Sequence, residues 1–423
     1  MAVLLSLSVA IFAGLMLTRL LNRWHLPDVT AYLIAGVLIG PSLLGGLAIP
    51  GIGFESYASL EELGLISDVA LGFIAFSIGH EFRLAQLKET GRQAMFVGVL
   101  QAAVTTLCVD VALFLFHVLR PDVLSLPAAI TLGAIAAATA PAATLMVVRQ
   151  YKAKGPLVDL LLPIVALDDA VGLALFAASF GIAKALTSGE VDFYTVAVNP
   201  VMEIIGSLLL GALAGWLLTQ LEKLFHSNRN RVAMTIGFVF LTVALSKLSF
   251  PVGRLTQSFS PLLVCMMLGG VFCNLCPQSD EIMERADKWS SPLMVLFFVL
   301  SGAELELGAL THAASAMVGV VYILSRSFGK YFGARESSRM AGCGAKIVKY
   351  LGVTLLPQAG VALGMCVSAA ELPGDGPLIR NTVLFAVLVY ELVGPVMTKW
   401  ALTRAGDITP KDENLIRRRR IRA

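Results

Sequence analysis

Charged side chains are scarce in this sequence. Asp, Glu, Lys and Arg make up only 14% of the 423 residues, against 57% hydrophobic ones, and the mean hydropathy is +0.79. That balance excludes an ordinary soluble domain and leaves a polytopic membrane protein. The net charge of +3 is too small to suggest a nucleic-acid partner, and the placement of Lys and Arg between spans carries more information than the total. Cysteine is sparse as well. Cys108, Cys265, Cys273, Cys276, Cys343 and Cys366 fall mostly in apolar segments without metal-ligand spacing. Cys273 and Cys276 form a C-x-x-C, but at an expected helix end with no βαβ pattern around it, so all six read as packing residues. Nucleotide loops, catalytic triads and metal-ligand clusters are lacking, so neither an enzyme nor a bound cofactor is expected. The first apolar stretch has no basic leader and no small-residue cleavage site, and reads as a span and not as a signal peptide.

What the sequence has is apolar runs of about 20 residues, roughly thirteen of them, and the expected fold class is an all-α polytopic membrane protein. Their centres fall near Phe12, Gly36, Phe73, Thr105, Ala138, Asp169, Leu209, Phe240, Met267, Phe298, Val320, Leu363 and Val387. Alternate connections carry Arg19 and Arg23; Arg83, Lys88 and Arg92; Arg149, Lys152 and Lys154; Lys223, Arg229 and Arg231; Arg335, Arg339, Lys346 and Lys349; and the tail Arg417 to Arg420. The other side offers little beyond Arg120, Lys184, Arg254 and Arg380. The positive-inside rule then makes the basic side cytoplasmic, with the N-terminus outside and the C-terminus inside. No soluble domain fits outside the spans, so 1–423 is expected to be one transmembrane unit closing in a basic cytoplasmic tail over 405–423.

Two adjacent acids, Asp168 and Asp169, lie within the mainly apolar run 157–176. A charge at mid-membrane depth costs at least a few kcal/mol unless it is neutralised, paired or hydrated. Two side by side imply an aqueous cavity, a bound cation or exchangeable protons. A carboxylate can hold a hard cation through its oxygens, or hold a proton.

Two spans are interrupted. Pro141 follows Thr139 and Ala140 among small residues, and Pro357, Gln358 and Gly360 interrupt a late span at comparable depth. Backbone hydrogen bonds must be broken at both places. One break in each half of a chain points to a secondary transporter, in which unwound carbonyls and helix ends form a polar site at the midplane. Opposite charge comes from Arg326 and Lys330, four residues apart and so on one helix face. Lys330 is placed where its stem can snorkel toward the interface, whereas Arg326 lies deeper, so Arg326 is the favoured partner for an aspartate. His80, Asp110, Glu203, Lys247 and Glu391 are further charges or titratable groups in or near spans to which no transport role is assigned.

The stretch from Leu26 to Pro41 resembles the second-span signature of the bacterial cation:proton antiporter-2 family, the Kef-type and NapA-like sodium/proton exchangers. Phe73 to Phe82, Ala138 to Ala142, Leu167-Asp168-Asp169, Arg326 to Lys330 and Leu392 to Lys399 match in the family's order, across almost the whole chain. The resemblance implies inverted repeats with two crossed, broken helices. It implies a core domain, here including 60–185 and 290–372, and a separate scaffold, including 1–45, 199–276 and 381–404, that forms a homodimer in the lipid of a bacterial inner membrane. It implies that Asp169 is the main ion-binding and proton-carrying acid and that Asp168 pairs with the base at Arg326. Thr139 would lie at the unwound crossing and join the two aspartates as a sodium ligand. Relatives with two acids here are similar to electrogenic exchangers.

Arginine stands where such exchangers often have lysine and cannot release a proton at physiological pH, so a proton route through that base is not expected. No nucleotide-binding regulatory domain is expected in this chain. The function so implied is exchange of a monovalent cation, Na+ first, for protons by alternating access. A K+/H+ antiporter, a Kef-like K+ efflux protein and a sodium-coupled organic-anion symporter are the alternatives. An intramembrane aspartyl protease is disfavoured, because adjacent acids cannot flank a scissile bond from both sides.

Overall fold

The computed structural model describes residues 2–24, 26–47, 53–80, 84–188, 198–248, 250–252, 255–257, 259–305, 313–359, 361–369 and 372–409. The expected basic tail lies outside the described residues from position 410 onward. The helices, in order, are α1 (Ala2–Leu21), α2 (Asp28–Ile39), α3 (Tyr57–Glu61), α4 (Gly64–His80), α5 (Leu84–Leu119), α6 (Leu126–Ile135), α7 (Pro141–Gln150) and α8 (Pro156–Ser188). They continue as α9 (Asn199–Glu222), α10 (Asn228–Ser246), α11 (Pro261–Leu275), α12 (Ser279–Ala303), α13 (Ala313–Met340), α14 (Ala345–Thr354), α15 (Val361–Ala369) and α16 (Gly376–Ala405). Between α10 and α11 a short antiparallel hairpin pairs β1 (Phe250–Val252) with β2 (Leu255–Gln257), Phe250 opposite Gln257. Among the described residues the fold is otherwise all-helical, as the apolar runs lead one to expect.

Local sequence explains where these helices begin and end. The Ser125 hydroxyl accepts the Ala128 N–H at the start of α6, and Ser260 does the same for Leu263 at the start of α11. Both satisfy a donor that has no partner within its helix. Pro141 opens α7, where its missing N–H leaves nothing unsatisfied. At the other end of the chain α16 stops at Gly406, whose φ of +95° is the left-handed cap that glycine adopts without a Cβ clash. Among the described helices five are individually long and apolar enough to cross a bilayer: Val3–Leu21, Gly91–Leu119, Pro156–Lys184, Val201–Glu222 and Gly376–Ala405. Phe12, Leu107, Leu115, Leu209 and Leu213 stand exposed on these helices. That many bare apolar side chains suit lipid and not water.

The chain divides into two compact units. One comprises 1–21, 31–89 and 197–305. Its core joins Phe73 and Phe76 of α4, Val239 of α10 and Cys265, Leu268 and Phe272 of α11. Glycine permits the approach: a Cβ at Gly269 would overlap the Phe76 carbonyl, so α4 and α11 meet backbone to backbone. The other unit comprises 22–30, 90–196 and 306–423. It contains one pattern twice, a long helix, two short helices separated by extended backbone, and a second long helix: α5, α6, α7, α8 and again α13, α14, α15, α16.

This division differs from the grouping read from the sequence. Packing puts α4 and residues 290–305 with the first unit and α16 with the second. α16 is held to α13 by a Tyr390–Ser327 hydroxyl contact at 2.9 Å and to α14 by the Tyr350–Trp400 ring pair. Each of the thirteen expected span centres lies within a helix except Ala138, which falls in the opened backbone between α6 and α7.

Candidate ion-binding site

Both interrupted helices lie in the second unit. α6 ends at Ile135, α7 begins at Pro141, and the backbone between them is opened. Similarly α14 ends at Thr354 and α15 begins at Val361. The two openings touch through a backbone hydrogen bond from the Ala140 N–H to the Pro357 carbonyl, 2.9 Å. An opened helix leaves carbonyls at its C-terminal end without intrahelical donors, and the helix dipole makes that end negative.

The Arg326 guanidinium answers these orphan carbonyls. Its Nε donates to the Ala136 carbonyl at 2.9 Å, Nη2 to Ala138 at 2.7 Å and Nη1 to Leu356 at 2.7 Å, so one planar fork ties both openings together. The Tyr390 ring covers the fork, 4.4 Å from the guanidinium carbon. Gln358 adds a further tie, its Nε2 donating to the Ile135 carbonyl at 3.0 Å and to the Tyr322 hydroxyl at 2.8 Å.

Lys330, one turn along α13, takes the aspartate. Its Nζ lies 3.0 Å from Asp168 Oδ2 and also donates to the Ala137 carbonyl at 2.6 Å, Thr139 Oγ1 at 2.9 Å and Gln101 Oε1 at 3.1 Å. Thr139 Oγ1 donates to the same Asp168 oxygen at 2.6 Å, and Gln101 Nε2 donates to Oδ1. Asp168 and Lys330 are both 0% exposed. The expected Arg326–Asp168 pair is therefore corrected to Lys330–Asp168. The physical reason is that a broken helix offers several negative carbonyls in a fixed arrangement, which suits a rigid fork, while the single carboxylate suits a point charge. Lys330 is fully buried and does not snorkel.

Asp169 is in a different situation. Adjacent helical residues point about 100° apart, and Asp169 is turned away from this network. It is 1% exposed, and among the described residues neither carboxyl oxygen has a hydrogen-bond partner. Of the three expected sodium ligands, Asp168 and Thr139 are already committed to Lys330 and to each other. Asp169 alone has free oxygens. Among the described residues no three His, Cys, Asp or Glu side chains converge as a metal site.

Close packing of α13 on α5 sets this geometry. A Cβ at Gly333 would come within 3.0 Å of the Gln101 carbonyl, and one at Gly329 within 2.9 Å of Thr105 Cα. This pair of glycines one turn apart lets the two backbones meet and brings Gln101 to Lys330. Of the residues expected at the opened helices and the acid pair, Thr139, Ala140, Asp168, Arg326, Lys330, Pro357 and Gln358 are thus tied into one buried cluster, while Pro141 opens α7 beside it and Asp169, next in sequence to Asp168, keeps both oxygens out of it. Gln101, Tyr322 and Tyr390 belong to it too and were missed. The available signal was an amide in the middle of an apolar span. The remaining charges lie elsewhere. His80 Nε2 is 3.5 Å from Asp280 Oδ1, and Lys247 pairs with Asp68, all in the first unit. Asp110 packs against Gly133 in the second.

Comparison with known proteins agrees with this architecture. The chain is similar to the high-affinity Na(+)/H(+) antiporter NhaS3 of Synechocystis, at 23% identity over 93% of this chain and 88% of that one. It is equally similar to the Na(+)/H(+) antiporter NhaS4 of the same organism, at 23% identity over 94% and 96%. Its fold matches that of the sodium proton antiporter MjNhaP1 from Methanocaldococcus jannaschii, with a TM-score of 0.71 and 18% identity, over 96% of this chain and 99% of that one. The family described as "Sodium/hydrogen exchanger, transmembrane" matches residues 7–404. From nearly end to end, this chain belongs to the sodium/hydrogen exchanger family.

Proposed function

We propose that the protein exchanges a monovalent cation, Na+ in the first instance, for protons by alternating access. The observation that carries this reading is Asp169, a buried carboxyl group with both oxygens unsatisfied beside a second acid that is fully paired. An unpaired ion in such a place is costly. A proton or a cation removes that cost, and one carboxyl group cannot hold both at once. Competition for Asp169 therefore couples the two fluxes. Asp168, held by Lys330, Thr139 and Gln101, serves as the fixed neighbouring charge and steadies the opened backbone at Thr139.

The base beside Asp168 is a lysine, and lysine, unlike arginine, can release a proton. The exclusion of a proton route through that base, drawn from the sequence, falls away. Two acids and a titratable base support electrogenic exchange and a place in the cation:proton antiporter-2 branch, as the stretch from Leu26 to Pro41 also suggests. We place the protein in a bacterial inner membrane as a homodimer, N-terminus outside and C-terminus cytoplasmic, the unit with the aspartates carrying the ion. Proteoliposomes with an imposed pH gradient test the function. Na+, K+ and Li+ are added in turn, with and without a valinomycin clamp. Collapse of the gradient by Na+ is expected. Collapse by K+ alone would move the reading to a K+/H+ antiporter, and no response to any of the three would end it.

A further inference from the structure

Bases outnumber acids along one rim of the second unit. Residues 335–349 and 399–409, at the basic ends of α13, α14 and α16, carry Arg335, Arg339, Lys346, Lys349, Lys399 and Arg404 against two acids, Glu336 and Asp407. Those acids do not balance them. Asp407 accepts the Val158 N–H at the start of α8 at 2.9 Å, and Glu336 lies 3.8 Å from Arg335. Among the described residues Arg339 and Arg404 make no hydrogen bond and no ion pair, and both are exposed. The first unit differs: at the basic end of its α12, Arg285 and Lys288 are paired one turn away with Glu281 at 2.9 Å and Glu284 at 2.7 Å. Membrane topology requires bases on this side. It does not require them to stand without acids on one unit.

The three helix ends form one rim. Lys346 donates to the Ala405 carbonyl at 2.7 Å, the Tyr350 and Trp400 rings meet at 5.8 Å, and only residues 341–344 separate α13 from α14. Exposed side chains are ordered by depth beneath it. Leu324, Phe328, Phe332, Arg335 and Arg339 share one face of α13 by helical spacing, and all five are exposed. The two Phe rings are stacked, 5.5 Å apart. α16 repeats the order on one exposed face with Val393, Trp400 and Arg404.

The depths suit a phospholipid. Opened helices mark the midplane of such a fold, and Lys330 lies among them. Arg339 follows nine residues later, which at 1.5 Å per residue is about 14 Å. Half of a ~30 Å hydrocarbon core is about 15 Å. The Arg339 guanidinium therefore stands at headgroup level and the Phe rings stand at acyl-chain level. Arg335, lower down, reaches the same level through its stem.

We propose that this rim of the transporting unit binds anionic phospholipid, its chains along Leu324, Phe328 and Phe332 and its phosphate on Arg335 and Arg339. Arginine forks suit phosphate oxygens, which accept two parallel N–H bonds. A zwitterionic headgroup brings its own ammonium group, which the surrounding bases repel. A headgroup such as glycerol adds no positive charge. In the orientation proposed above, the lipid is one of the cytoplasmic leaflet.

The test uses full-length protein in symmetric phosphatidylcholine bilayers holding a trace of phosphatidylglycerol or phosphatidylcholine with a photoactivatable group in one acyl chain. Labelled peptides are mapped by mass spectrometry. Phosphatidylglycerol should label residues 324–332 roughly fivefold more than phosphatidylcholine does. In the double variant Arg335→Gln, Arg339→Gln the two lipids should label alike, while the thermal melt and Na+-driven proton movement keep the protein's fold and exchange in view. Equal labelling of wild type by both lipids, or an undiminished preference in the double variant, overturns the proposal. Should the variant not fold, the wild-type comparison decides alone. Because both leaflets are the same, an error in the assigned orientation would leave the preference intact, and loss of the exchange reading would show only in the proton movement.

Discussion

Removing the ammonium group of Lys330 leaves Asp168 as a buried carboxylate with only neutral donors. Breaking a buried ion pair from one side costs about 3 to 5 kcal/mol, so Lys330→Met should melt well below wild type. Asp168→Asn in that background buries no unpaired ion and should recover much of the loss. If the two single effects simply add in a thermal melt, Lys330 is not the partner of Asp168. Arg326→Lys keeps the charge and removes the fork. With three carbonyl contacts reduced to one or two, and hydrogen bonds to charged groups worth about 1.5 to 3 kcal/mol each, it should lower the melting temperature clearly. An unchanged melt would mean the fork does not hold the openings. At this scale the sequence made the basic pair legible through its spacing of four residues. It did not reveal the division of labour, because the depth argument treated each base as seeking a carboxylate. The competing acceptors were the carbonyls freed beside Pro141 and Pro357, and the prolines had already announced them.

Among the helices, the close contact of α13 with α5 places Gln101 and Lys330 together. Gly333→Leu would push the backbones apart where a Cβ already comes within 3.0 Å of the Gln101 carbonyl. Overpacking of this kind costs about 1 to 3 kcal/mol. The variant should melt lower and lose cation-driven proton movement in liposomes, because Lys330 would no longer reach Asp168. Wild-type melting and transport together would show that the contact is not required. The two opened helices were readable from proline within apolar runs, whose missing N–H and ring clash forbid a continuous helix. The small elements were not. β1 and β2 are only three residues each, Phe250–Val252 and Leu255–Gln257. The five residues of α3 are capped reciprocally by Ser56 and Ser59. Averaging over about 20 residues to find spans hides both.

For the molecule as a whole, composition sufficed to establish a helical membrane protein, and the ordered motifs sufficed to point to sodium/proton exchange, the coarser part of the resemblance and the part that the family match over 7–404 supports. Which helices pack together was not legible in the same way. A span's hydropathy is the same whether it faces lipid or another helix, since lipid tails are as apolar as leucine. The partition into units depends instead on where small residues allow contact, as Gly269 does for α4 and α11 and Gly394 does for α16 at Pro357. With the units drawn from those contacts, both broken helices, the acid pair, its lysine and Glu391 fall in one of them. The central claim is that Asp169 in this unit exchanges a proton for the cation. Cation-driven proton flux in proteoliposomes containing Asp169→Asn, set beside wild type of matched thermal melt, tests it most directly. The account predicts that Na+ collapses the pH gradient for wild type and leaves it intact for the variant; exchange by the folded variant at the wild-type rate would contradict it.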